Sequence, residues 1–189
     1  MPLNIPNLLT WLRIVLIPVF VAVYYLPDEW LGPVAKNWTA MSIFAVAATT
    51  DWLDGYLARR WGEVSAFGAF LDPVADKLMV AAALIVLVWI GRAEAYLAIV
   101  IIGREIAISA LREWMAQLGE SKSVAVSFVG KIKTVSQMVA IPLLLYDDML
   151  GNLDPHLIGT WLIYAAAVMT LVSMAYYLKM ALPQINKRL

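Results

Sequence analysis

Asp51 and Asp54, then Asp72 and Asp76, form two pairs of acids, with Gly55, Ala58, Arg59 and Gly68 set between them. At about 100° per residue, a helix puts Asp51 and Asp54 about 60° apart and Asp72 and Asp76 about 40° apart. Each pair therefore projects from one helix face. A short turn near Arg60 to Ser65 can aim both pairs at one point. The flanking sequence is strongly apolar, where an ionised carboxylate is costly unless compensated. Hard divalent cations held by oxygen ligands are the natural partner of such a cluster. Two such ions would neutralise the four carboxylates. A pair about 3.5–4 Å apart can activate an attacking oxygen and stabilise a leaving phosphate. Mg²⁺ and Mn²⁺ both suit an all-oxygen set. The small residues Gly55, Ala58 and Gly68 leave room for a flat group against the backbone, and Arg59 can satisfy a phosphate that the acids would repel.

Each of these residues also has a plain structural use. Intramembrane aspartates pair with bases such as Lys77, Arg59 or Arg104, or line an ion path. Small residues let membrane helices approach closely. The whole register in so short a stretch is harder to explain that way.

The elements that must carry the acids follow from composition. The 189 residues are 62% hydrophobic and 15% charged, with mean hydropathy +0.77. A soluble domain of this size is nearer half apolar and a quarter charged, so a membrane protein is expected. There is no cysteine, hence no disulfide, thiolate metal site or thiol nucleophile. With zero net charge, no nucleic-acid partner is expected. The N-terminus lacks a basic leader with a small-residue cleavage site.

Apolar runs of about 20 residues predict six spans: Leu8 to Leu26, Trp38 to Leu57, Ala66 to Ile90, Ala95 to Met115, Val124 to Tyr146 and Leu157 to Leu178. The fold class is therefore all-α, a polytopic membrane protein of six transmembrane helices in a single domain spanning residues 1–189. Arg59, Arg60, Arg112, Lys122, Lys131, Lys133, Lys179, Lys187 and Arg188 fall on one side of these spans, against Lys36 and Arg92 on the other. The bias predicts that both termini and the carboxylate cluster are cytoplasmic.

The register D-x2-D-G-x2-A-R-x8-G-x3-D-x3-D, from Asp51 to Asp76, resembles without departure the signature of the CDP-alcohol phosphotransferases. These six-helix membrane enzymes pass a phospho-alcohol from a cytidine diphosphate donor to a hydroxyl acceptor and release CMP. Further stretches resemble the bacterial branch that makes phosphatidylglycerophosphate: Asn4 to Arg13, Thr50 to Lys77, Arg104-Glu105 through Trp114, and Gly130 to Thr134. That resemblance implies CDP-diacylglycerol and sn-glycerol 3-phosphate as substrates, two divalent cations as cofactors, a homodimer, and a place in the bacterial cytoplasmic membrane with the site facing the cytoplasm. It implies Asp51, Asp54 and Asp72 as metal ligands, with Asp76 both near the metals and the general base. Asp51, Gly55, Ala58, Arg59 and Gly68 would frame the donor's cytidine and pyrophosphate.

The acceptor brings its own phosphate and needs cations. Arg104 and Arg112 lie eight apart, about two turns, on roughly one face, and Lys131 and Lys133 start the next span from the same side. These four are the expected acceptor-phosphate pocket. The structural alternative pairs Arg104 with Glu113 or Arg112 with Glu105, and makes the lysines cytoplasmic anchors. Asn7, Thr10 and Arg13 share a face of the first span and are expected to cap the site, touch the donor's phosphates or serve as ordinary helix-end residues. Lys77 points about 100° from Asp76, toward an interface or another helix, and His156 lies on the far side with no expected catalytic role. Two other functions were open at this level. One keeps the chemistry with inositol phosphate or serine as acceptor. The other is a divalent-cation transporter, which would need acids to continue across the membrane; Met41 to Ala48 and Val80 to Val88 contain none.

Overall fold

Apolar stretches punctuated by Pro, Gly and Asp fold into helices α1 (Ile5–Tyr25), α2 (Pro33–Trp61), α3 (Ala66–Trp89), α4 (Ala95–Gln117), α5 (Phe128–Tyr146) and α6 (Pro155–Asn186). The computed structural model describes residues 5–61, 66–118 and 128–186; the side chains at 5–7, 52, 54–59, 61, 66–67, 69, 128–129, 131 and 184–186 lie outside that description. Among the described residues there is no strand, only an isolated bridge between Leu150 and Leu153. The chain is all-α.

Local chemistry explains the helix ends. Pro33 and Pro155 stand at the first position of α2 and α6, where a missing N–H costs nothing. Asp154 caps α6, its Oδ1 accepting from Leu157 N at 3.1 Å. Gly91 closes α3 at φ +75°. Arg92 N donates to Leu87 O at 2.8 Å and Gly91 N to Val88 O at 3.1 Å, the paired bonds of a left-handed C-terminal cap that favours glycine.

The helices run past the predicted span limits. α2 begins at Pro33 where Trp38 was expected, and α6 continues to Asn186 where Leu178 was expected. Hydropathy marks where a chain leaves an apolar solvent, whereas the helix ends where its hydrogen bonding stops. The first turns of α2 carry Lys36, which is buried and donates to Asp28 at 2.6 Å. Among the described residues, two helices contain segments long and apolar enough to cross a membrane by length and composition, Leu8–Tyr25 and Pro155–Pro183.

The core joins Phe20 of α1, Phe44 of α2, Leu84 and Leu87 of α3, Ile101 of α4, Ile141 and Leu144 of α5 and Ile163 of α6. Ala40 and Ala47 flank Phe44 on α2 and are fully covered. A second, smaller cluster of Ile108, Met115, Tyr177 and Ala181 seals α4 against α6. Beyond the main core, Arg92 ties the turn after α3 to α5: its Nε lies 2.9 Å from Asp147 Oδ2, and Nη1 donates to the carbonyls of Leu144 and Leu145. His156 Nδ1 lies 2.6 Å from Asp147 Oδ1.

α5 and α6 approach closely at Gly159, where a Cβ would lie 2.8 Å from Leu144 Cγ and 3.2 Å from the Ala140 carbonyl oxygen. Gly159→Ala is predicted to destabilise the bundle by about 1–3 kcal/mol, the usual cost of overpacking. Thermal unfolding in detergent measures it; an unchanged midpoint would mean the two helices are not pressed together there.

Candidate active site

Thr10 and Arg13 stand three residues apart on α1 and so share a face. Both are buried, Arg13 with only 1% exposure. Thr10 Oγ1 donates to Asp72 Oδ1. Arg13 Nη1 donates to Asp76 Oδ1 and lies 3.1 Å from Asp51 Oδ1. Three helices thus meet through one hydroxyl and one guanidinium. Arg13 and Thr10 were expected to cap the site, touch the donor's phosphates or serve as helix-end residues; they contact the acids directly.

Asp51 of α2 and Asp76 of α3 converge on the same nitrogen, while each keeps about a third of its side chain exposed, 38% and 34%. Asp72 sits one turn before Asp76, on Thr10. Among the described residues no three acids close on a single point. Asp54, Gly55, Ala58 and Arg59 belong to α2, but their side chains lie outside the described residues, and Gly68 is buried on α3. The donor chemistry suits a hard cation, since the groups are carboxylate oxygens from two helices, and here Asp51 and Asp76 are engaged by Arg13 Nη1.

A cavity of about 440 Å³ opens beside these acids. Asp51, Pro73, Asp76 and Lys77 line it from α2 and α3; Arg104, Glu105, Ser109 and Arg112 line it from α4; Thr134, Gln137 and Met138 line it from α5. Asp51 and Asp76 therefore share one space with Arg104 and Arg112. Lys77 also lines it, despite its phase relative to Asp76.

The cations are held by a network that single-helix spacing could not reveal. Arg104 Nη1 lies 3.2 Å from Glu105 Oε1, and Nη2 donates to Ser173 Oγ at 2.9 Å. Arg112 Nη2 donates to Tyr177 Oη at 3.0 Å. Lys133, buried on α5, donates to Glu105 Oε1. The expected structural pairings, Arg104 with Glu113 and Arg112 with Glu105, are replaced by these contacts, because α5 and α6 supply nearer partners. Lys133 is turned to Glu105 and is not among the cavity-lining residues. Lys131 lies on α5 with its side chain outside the described residues. Sequence reasoning missed Glu105 as the counter-ion of Lys133, and missed Ser173 and Tyr177 altogether. The available signal was a pair of polar groups four apart, and so on one face, of α6.

Comparison with known proteins gives a consistent picture. The sequence model of the family described as CDP-alcohol phosphatidyltransferase matches residues 3–172. The chain is similar to proteins named CDP-diacylglycerol–glycerol-3-phosphate 3-phosphatidyltransferase from Escherichia coli (strain K12) and Shigella flexneri. It is 51% identical to each over 187 residues, covering 96% of this chain and 96% of the relative.

Removing Arg13 tests the charge balance. In chelator, Arg13→Gln is predicted to lose about 1–3 kcal/mol of stability, less than a fully buried pair would cost because both carboxylates are partly solvated. Saturating divalent cation should restore much of that loss. Matching thermal midpoints for variant and parent in chelator would take Arg13 out of this role.

Proposed function

The chain belongs to the CDP-alcohol phosphatidyltransferase family, and from that premise we propose that it transfers the phosphatidyl group of CDP-diacylglycerol to sn-glycerol 3-phosphate. The products are phosphatidylglycerophosphate and CMP. One observation carries this reading beyond family membership: a single cavity is lined by Asp51 and Asp76 and also by Arg104 and Arg112. A reaction between a metal-binding pyrophosphate donor and an acceptor bearing its own phosphate needs both kinds of group within reach of each other.

The setting is a membrane. The helices run from 19 to 32 residues, and about 20 residues span the hydrocarbon core. Apolar side chains cover their outward faces, among them Val15, Val19, Ile85, Ile99, Ile106, Val135, Trp161 and Val168. We read the chain as one membrane domain with six spans in the bacterial inner membrane, with both termini and the site on the cytoplasmic side, from the bias in basic residues. A homodimer follows from family resemblance alone.

Asp51, Asp54, Asp72 and Asp76 would hold two divalent cations, Mg²⁺ or Mn²⁺, which when bound supply charge neutralisation at the donor's phosphates. Asp51, Gly55, Ala58, Arg59 and Gly68 frame the cytidine and pyrophosphate. Arg104 and Arg112, with Lys131 beside them, hold the acceptor phosphate by charge-assisted hydrogen bonds, while Lys133, expected in this pocket, is turned to Glu105. Asp76 takes the proton of the acceptor's 1-hydroxyl as that oxygen attacks the lipid-proximal phosphorus. The new P–O bond forms, the bond to CMP breaks, and CMP leaves with the electron pair. Asp76 is suited to this work by standing at the cavity while Arg13 fixes one of its oxygens. Its test as a base is geometric reach to the proton it removes.

Purified protein in detergent, given CDP-diacylglycerol, labelled glycerol 3-phosphate and Mg²⁺ or Mn²⁺, should yield lipid product and CMP in equal amounts, and neither with chelator. Faster use of inositol phosphate or serine would overturn the acceptor assignment. Asp76→Asn is predicted to reduce turnover by about 10²-fold or more, the range of a lost general base, with donor binding largely kept. Near-normal turnover in that variant would exclude Asp76 as the base.

A further inference from the structure

Arg104 and Arg112 are like charges two turns apart on α4, and both must face one cavity. Tyr177 of α6 stands behind both. Its side chain is 1% exposed. The guanidinium carbons of Arg104 and Arg112 lie 5.6 Å and 5.2 Å from its ring centroid, within cation–π reach of roughly 6 Å. Its hydroxyl accepts from Arg112 Nη2 at 3.0 Å. One turn earlier on α6, Ser173 takes Arg104 Nη2.

We propose that Tyr177 is a positioning residue for the acceptor phosphate, a neutral platform that orients the guanidinium groups of Arg104 and Arg112 toward the cavity. This inference rests on the reading of those two arginines as the phosphate-binding pair. The chemistry of the platform matters. A carboxylate in this position would orient the arginines but also neutralise them, and it would compete with an incoming dianion. The face of an aromatic ring attracts both cations through its quadrupole and offsets their mutual repulsion, yet leaves their full charge for the ligand. The nearby acid, Glu105, lies 3.2 Å from Arg104 Nη1 but is shared with Lys133, so it offsets Arg104 only in part, and among the described residues it forms no ion pair with Arg112. Burial by Ile108, Met115 and Ala181 holds the ring in place, so the arginines lose less side-chain freedom when the phosphate arrives. Preorganisation of this kind raises affinity without a new contact to the ligand.

The test is steady-state kinetics of the full chain in detergent, with acceptor KM, donor KM and kcat measured for Tyr177→Phe, Tyr177→Leu, Arg112→Ala and the double variant Arg112→Ala/Tyr177→Phe. Loss of the hydroxyl alone should raise acceptor KM about fivefold, a hydrogen bond to a charged group acting at second hand. Loss of the ring as well should raise it about thirtyfold, since both cation–π contacts go. Donor KM and kcat should stay within about twofold, because the ring touches neither the acids nor the donor. In the Arg112→Ala background, Tyr177→Phe should add nothing further. Equal shifts in donor and acceptor KM, or a fall in kcat with acceptor KM unchanged, would make Tyr177 merely structural and overturn the proposal. If Arg112→Ala raises acceptor KM and neither Tyr177 variant does, the proposal fails while the acceptor pocket survives. If Arg112→Ala leaves acceptor KM unchanged, the pocket itself is wrong. Should Tyr177→Leu not fold, Tyr177→Phe and the double variant decide the matter.

Discussion

Charge held inside an apolar bundle is the constraint around which this molecule is organised. An uncompensated buried ion costs several kcal/mol, while a whole domain is stable by only about 5–15 kcal/mol. Asp51, Asp72 and Asp76 therefore cannot be left to themselves. Arg13 and Thr10 answer them from α1, and in doing so they fasten three helices at the end where the apolar core thins out. The same contacts leave part of Asp51 and Asp76 open to the cavity, so these two acids remain available to a ligand.

The other side of the cavity repeats the logic with the signs reversed. Arg104, Arg112 and Lys133 are partly or wholly buried and need partners. Arg104 and Lys133 share one acid, Glu105, while Arg104 also leans on Ser173 and Arg112 on Tyr177. An excess of positive charge is thus maintained next to an excess of negative charge, with a space between them. Complete internal pairing would be more stable and would leave nothing to bind a phosphate.

Much of this was readable from residue order and spacing, because the relevant periodicities are local. The six helices lie where apolar runs of the right length stood, and the phase of Asp51, Asp72 and Asp76 follows from the pitch alone. Arg104 and Arg112 reach the same cavity for the same reason. What could not be read was the rotation and offset of one helix against another. Arg13 meets Asp76 across 63 positions, and Arg104 meets Ser173 across 69; nothing local encodes either. Tyr177 was hidden by its company: beside Tyr176, near the end of an apolar helix, it reads as one of many aromatics at a membrane boundary. Helix limits were misjudged at α2 and α6 because apolarity and helical hydrogen bonding end at different places.

Arg92 has a consequence for the thickness of the molecule. The last carbonyls of any helix lack internal partners, and in lipid they must find some. At α5 the guanidinium of Arg92 takes those of Leu144 and Leu145. That terminus can therefore stop short of the headgroups without exposing bare peptide to hydrocarbon. A helix end closed in this way does not require the surrounding bilayer to tilt, stretch or thin to meet it.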